Sequence, residues 1–118
     1  MQTEISKDFR FEAAHFLPFV DDNHKCKNIH GHSYLIRITL KGQINSMGWI
    51  MDLNEVSKIC KPIVKMLDHK ILNNIEGLEN PTSENLACFI FNKLQEKMPQ
   101  LYSVTIKATQ SVEVTVYK

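Results

Sequence analysis

At 118 residues with a formal net charge of +1, the chain is long enough for one domain with a substantial core, expected to span residues 1–118, and too short for two. Charges of both signs are scattered, which gives no bulk attraction for a nucleic-acid partner; no apolar run approaches a membrane span and no apolar leader opens the chain, so a cytoplasmic protein is expected. The cysteines, Cys26, Cys60 and Cys88, are odd in number without disulfide-like spacing and read as reduced thiols.

Residues from about Gln2 to His15 alternate in polarity. Ile5, Phe9 and Phe11 share one parity and Lys7 interrupts it, the pattern of a half-exposed strand. Pro18 to Ile29 is a long connection rich in reactive residue types, which suits a functional loop. Ser33 to Lys41 is a clear strand, with Tyr34, Ile36, Ile38 and Leu40 against Leu35, Arg37 and Thr39. Asp52-Leu53-Asn54-Glu55 predicts a helix start, with Asp52 as the cap and Glu55 as its reciprocal partner. Val56, Ile59, Cys60, Ile63, Val64 and Leu67 form that helix's buried stripe, and Pro62 is expected to kink it. A second helix begins near Pro81-Thr82-Ser83-Glu84 and buries Leu86, Ile90 and Leu94, with Phe89 and Met98 widening the stripe. Two strands close the chain, roughly residues 103–109 and 112–118, around Gln110-Ser111. The order is ββααββ, an α+β unit. Its outer strands carry unpaired N–H and C=O groups, so a symmetric oligomer that continues the sheet is expected.

The chemistry concentrates in Cys26-Lys27-Asn28-Ile29-His30-Gly31-His32 and in His15 of Phe11-Glu12-Ala13-Ala14-His15. Residues two apart on a strand point to one face, so His30 and His32 can reach one ion, and His15 can join them from a neighbouring strand. Three neutral imidazoles suit Zn²⁺ and leave a fourth position open, the arrangement of a catalytic rather than a structural zinc. Cys26 lies in a polar loop between lysines, a setting that favours thiolate. Cys60 and Cys88 read as small core residues of the helices, and His24 as an ordinary surface histidine. Asp68-His69 alone reads as a helix C-terminus, where the dipole favours histidine.

Five segments in order resemble the 6-pyruvoyltetrahydropterin synthase superfamily over nearly the whole chain, most closely its bacterial 6-carboxytetrahydropterin synthase branch. They are the two just quoted together with Gly48-Trp49-Ile50-Met51-Asp52-Leu53, Leu67-Asp68-His69 and Gly77-Leu78-Glu79-Asn80-Pro81-Thr82-Ser83-Glu84. The resemblance implies a tunnelling fold (T-fold): an antiparallel sheet with two helices on one face, closed by three subunits into a β-barrel, with two trimers stacked as a hexamer. It implies His15, His30 and His32 as zinc ligands and Cys26 as the catalytic cysteine. Asp68 and His69 become an acid–imidazole pair contributed across a subunit interface, and Thr82 and Ser83 line a pterin pocket. The activity implied is that of a carbon–oxygen lyase of queuosine (7-deazapurine) biosynthesis, converting 7,8-dihydroneopterin triphosphate to 6-carboxytetrahydropterin, acetaldehyde and triphosphate. The alternatives are a 6-pyruvoyltetrahydropterin synthase and a non-catalytic zinc- or pterin-binding homologue. Lys27 is a candidate for the triphosphate only because it adjoins Cys26.

The chain departs from the pattern in one place. The family's penultimate strand ordinarily carries a Glu-Thr pair whose glutamate binds the amino-pyrimidine edge; here Ala108-Thr109 stands there. If Gln110-Ser111 were a two-residue turn, Ala108 would face Glu113 and that carboxylate could substitute. A one-residue slip would turn Glu113 to the other face. An altered substrate and loss of catalysis are the competing explanations.

Overall fold

The computed structural model describes residues 1–118. Two long strands, β1 (Thr3–His15) and β2 (His30–Gly42), form an antiparallel pair along their whole length. Helix α1 (Leu53–Leu67), strand β3 (Lys70–Ile71), helix α2 (Ser83–Gln95) and strands β4 (Leu101–Lys107) and β5 (Val114–Tyr117) follow. The sheet order is β3-β1-β2-β4-β5. The four antiparallel strands match the sequence expectation. The fifth, β3, is two residues long and joins parallel to β1, making the sheet mixed.

Local chemistry explains the helices. Asp52 caps α1, its carboxylate accepting the Asn54 N–H at 2.9 Å. Glu55 does not complete the reciprocal cap; its carboxylate pairs with Lys58 one turn on, at 3.4 Å. The helix runs through Pro62, which cannot donate to the Lys58 carbonyl. Thr82 caps α2, its hydroxyl accepting the Asn85 N–H at 3.1 Å. Leu86, Ile90 and Leu94 of α2 are buried as the spacing predicted, joined by Ala87, Phe91 and Met98.

One face of the sheet meets both helices in a single cluster of 21 buried residues, including Phe11, Tyr34, Ile36, Ile38, Leu40, Val104 and Ile106. The other face is polar and its opposed residues match. Glu4 sits against Lys41, Ser6 against Thr39, Asp8 against Arg37 and Glu12 against Ser33. Ser6 and Thr39 hydroxyls are 2.8 Å apart, and Arg37 donates to both Asp8 oxygens at 2.9 and 3.3 Å.

The shape is elongated, 56 × 23 × 22 Å, because the β1–β2 pair outruns the helices. Its radius of gyration is 15.4 Å, whereas a compact chain of this length has about 13–14 Å. Most of β1 opposite β2 has no strand partner, since β3 pairs only with Ala13 and Ala14; the other edge, β5, is also open.

Of the closing strands, β4 keeps its expected length but lies two residues earlier, and β5 is shorter than expected, so residues 108–113 lie outside both. Ile106 is opposite Val114 and Thr105 opposite Thr115. Continued outward, this register sets Lys107 against Glu113 and Ala108 against Val112, one residue away from the pairing that relocation of the carboxylate required.

Candidate metal centre and adjoining cavity

The core-facing row of the β1–β2 pair ends in histidines. Phe11 and Tyr34 are opposed and stack with centroids 4.8 Å apart; Ala13 and His32 come next, then His15 and His30. Strand alternation therefore delivers all three imidazoles to one face, at the open end of the core. Their ligating nitrogens lie within 4.8 Å of one another. His15 is buried, and His30 and His32 are half-buried.

Hydrogen bonds fix the tautomers of two rings. His15 Nδ1 is 2.8 Å from the Pro81 carbonyl, and His30 Nδ1 is 2.8 Å from the Asn28 carbonyl. A carbonyl only accepts, so each Nδ1 carries its ring's proton. That leaves the two Nε2 lone pairs facing each other at 3.1 Å. Burial, a larger effect than the Pro81 hydrogen bond or the neighbouring imidazoles, holds the His15 pKa below its ordinary value. Burial first and His30 second do the same for His32. A metal cation satisfies two opposed lone pairs. Two nitrogens bound tetrahedrally at ordinary zinc–imidazole distances lie about 3.3 Å apart, so the residues fit zinc. The backbone carbonyls orient the ligands as outer partners do in metal sites generally. Pro81 binds His15 from the start of α2, a contact 66 residues away in sequence that spacing alone does not reveal.

A cavity of about 640 Å³ opens from the three histidines, with Cys26, Lys25, Thr82, Ser83 and Ala108 also in its wall. Cys26 sits in a tight turn, Lys25–Lys27, held from several sides. The Leu17 N–H donates to the Cys26 carbonyl at 2.8 Å. His24 is exposed but not idle: its Nδ1 accepts the Cys26 N–H at 3.0 Å and caps the turn. Asn73 clamps the start of the loop, exchanging bonds of 3.0 and 2.8 Å with the Phe16 backbone. The other thiols are elsewhere. Burial pushes Cys60 up to about 12, keeping it an inert thiol, as expected of a core residue. Cys88, expected in the core, is instead exposed on the outer face of α2.

Asp68 and His69 do not share the cavity with Cys26. His69 lines a separate shallow recess with Glu12, His32 and Ile71. Asp68 Oδ1 accepts the Glu12 N–H at 2.9 Å, and the His69 N–H donates to the Glu12 carbonyl at 2.6 Å, so the pair is clamped to β1. Asp68 Oδ2 and His69 Nδ1 are 3.0 Å apart. The Glu12 N–H first, then His69, holds the Asp68 carboxyl below its usual range. His69 adopts a left-handed backbone at φ 58, unusual for a non-glycine residue, and turns an imidazole that is 76% exposed toward solvent.

Within one chain, neither Glu113 nor Lys27 lines the Cys26 cavity. Glu113 is absent from the cavity wall. It lies on the polar face, where it adds weakly to the attraction, chiefly from Asp8, that raises the Arg37 pKa. The one-residue offset of the β4–β5 register is the reason. Lys27 is turned into its own loop, its ammonium donating to the Pro18 and Val20 carbonyls at 2.8 and 3.2 Å. Its neighbour Lys25, which sequence reasoning passed over, borders the cavity instead.

The chain matches the family described as 6-pyruvoyl tetrahydropterin synthase over residues 4–118. It is 43% identical to a 6-carboxy-5,6,7,8-tetrahydropterin synthase of Synechocystis sp., over 89% of this chain and 85% of that protein. It is 32% identical to the human 6-pyruvoyl tetrahydrobiopterin synthase, over 99% of this chain and 92% of that one. The solved structure of the Caenorhabditis elegans 6-pyruvoyl tetrahydropterin synthase superposes with a TM-score of 0.92 at 29% identity, covering 100% of this chain and 96% of that one. With its T-fold architecture and its three-histidine centre both in place, the chain belongs to the 6-pyruvoyl tetrahydropterin synthase family.

Proposed function

We propose that the protein is a zinc-dependent 6-carboxytetrahydropterin synthase, a carbon–oxygen lyase that converts 7,8-dihydroneopterin triphosphate to 6-carboxytetrahydropterin, acetaldehyde and triphosphate for queuosine biosynthesis. The observation that carries this reading is the convergence of His15, His30 and His32 with Cys26, Thr82 and Ser83 on one cavity, in a chain 43% identical to a protein of that name. The 6-pyruvoyltetrahydropterin synthase alternative starts from the same substrate and retains its three-carbon side chain, so acetaldehyde separates the two.

Each residue has a role that its setting supports. His15, His30 and His32 hold the metal, which when bound supplies Lewis acidity toward side-chain oxygens. Cys26, fixed by His24 and Leu17 at the cavity wall, is the base that removes a proton from carbon. Asp68 sets the tautomer of His69 by accepting from its Nδ1, leaving Nε2 to take or deliver a proton. Because His69 points outward on a separate surface, it serves the cavity of another subunit. The open edges of β1 and β5 supply the means of assembly. Closing three sheets into a barrel turns the polar face inward as a channel, and stacking two trimers gives a homohexamer.

The usual anchoring carboxylate is missing at Ala108, and Glu113 does not replace it within the chain. The pocket therefore holds the ring through Thr82, Ser83 and the backbone, at reduced affinity. A charged hydrogen bond of this kind is worth roughly 1.5–3 kcal/mol, or about ten- to a hundredfold in affinity.

Turnover of 7,8-dihydroneopterin triphosphate by the zinc-loaded protein, with products identified by mass, tests the reading. Acetaldehyde and 6-carboxytetrahydropterin are expected, and Cys26→Ala should abolish both while zinc stays bound; turnover unaffected by that change would exclude Cys26 as the base. Ala108→Glu should lower KM about tenfold or more, and an unchanged or raised KM would mean that the ring does not lie against residue 108. Mixed oligomers of Cys26→Ala and His69→Ala subunits test the shared site. Each parent should be inactive, and random mixing should restore about a quarter of the sites. No recovery in demonstrably mixed oligomers would place both residues in the same chain's site.

A further inference from the structure

We propose that Lys25 is the residue that receives the phosphate chain of the substrate; the assignment rests on the pterin-triphosphate reading above. Two lysines flank Cys26, and the turn that carries it gives them opposite tasks. The Lys27 ammonium is already spent on the Pro18 carbonyl at 2.8 Å, the Val20 carbonyl at 3.2 Å and Asp22 at 3.5 Å. Two carbonyl hydrogen bonds and the ion pair with Asp22 turn this ammonium into its own loop and away from the cavity wall. It is an internal tie that curls residues 18–22 around the turn.

Lys25 makes no side-chain hydrogen bond and no ion pair within the chain, and it is the only lysine or arginine bordering the cavity. Its backbone is nevertheless fixed. The Lys27 N–H donates to the His24 carbonyl at 3.1 Å and the Asn28 N–H to the Lys25 carbonyl at 3.2 Å. His24 Nδ1 holds the Cys26 N–H from the other side. The ends of the turn, His24 and Lys27, are consumed in building it, and the residues between them, Lys25 and Cys26, are presented to the cavity. A free ammonium on a flexible stem beside the reactive thiol suits a polyphosphate, whose charge is high and whose geometry varies, better than it suits a planar ring. The only carboxylate on the wall is Glu84, at the start of α2. Lys25 is therefore the one lysine or arginine on this wall that can meet a phosphate chain.

The test uses neopterin triphosphate and neopterin, the aromatic, fluorescent forms, titrated into the zinc-loaded protein. The ratio of their Kd values isolates the phosphate contribution from ring binding and needs no turnover. The unaltered protein should prefer the triphosphate. Lys25→Met should reduce that preference about tenfold while the neopterin Kd and zinc content stay unchanged, and Lys25→Arg should retain most of it. Lys27→Met, which loosens the loop, should weaken both compounds alike. Full preference in Lys25→Met, or a selective loss of it in Lys27→Met, overturns the assignment. Neopterin binding with no phosphate preference in the unaltered protein overturns it as well and leaves the pterin reading intact. If neither compound binds the unaltered protein, the pterin-triphosphate reading fails and the assignment falls with it.

Discussion

The register of the β1–β2 pair is the constraint on which the rest of the molecule depends. Thirteen opposed pairs of residues set His15 against His30 and Ala13 against His32. A slip of one residue would send both β2 histidines to the polar face and dissolve the metal centre. Both faces of the ribbon resist that slip. On the core side Phe9 meets Ile36 and Phe11 stacks on Tyr34; on the polar side Asp8 meets Arg37 and Ser6 meets Thr39. Each polar pair contributes at most about 1 kcal/mol. Their value lies in agreeing with the core, so that a one-residue slip is opposed on both faces at once.

From that register the site follows with few additional parts. The apolar row of the ribbon runs out where the helices end, and the three imidazoles take its place. The Pro81 and Asn28 carbonyls then fix the His15 and His30 tautomers, turning both lone pairs inward. Both lone pairs are thus presented to the position that a shared cation would take, so the fold itself builds the metal site. Metal affinity and native packing are for this reason linked. The same loop that runs from His15 to His30 must also present Cys26, and it does so with short-range backbone bonds and the Lys27 tie rather than with apolar packing.

Features governed by local rules were legible in the sequence. The two-residue histidine spacing, the Asp52 and Thr82 caps, and the Leu86, Ile90 and Leu94 stripe each follow from a period or a neighbour. What escaped depended on contacts distant in sequence or on irregular backbone. The register after β4 was open in the sequence because residues 108–113 hold none of the Asn-Gly or Asp-Gly pairs that fix a two-residue hairpin. A longer connection displaced Glu113 by one position, enough to reverse its face. Lys25 and Lys27 have the same chemistry and the same proximity to Cys26; only the tight turn separates an internal tie from a free cation. The anchoring of Asp68 and His69 to Glu12 spans 56 residues. Glu55 looked like a capping partner, and a nearby lysine took it instead.

The claim at the centre of this account is that the ion is held by three imidazoles and that Cys26 remains free for chemistry. X-ray absorption at the zinc edge of the purified, metal-loaded protein measures this directly. One zinc per chain, with three imidazole nitrogens and a light fourth ligand at about 2.0–2.1 Å, is predicted. A sulfur scatterer at about 2.3 Å would make Cys26 a ligand and contradict its assignment as the base. Two imidazoles or fewer would contradict the register on which the site is built.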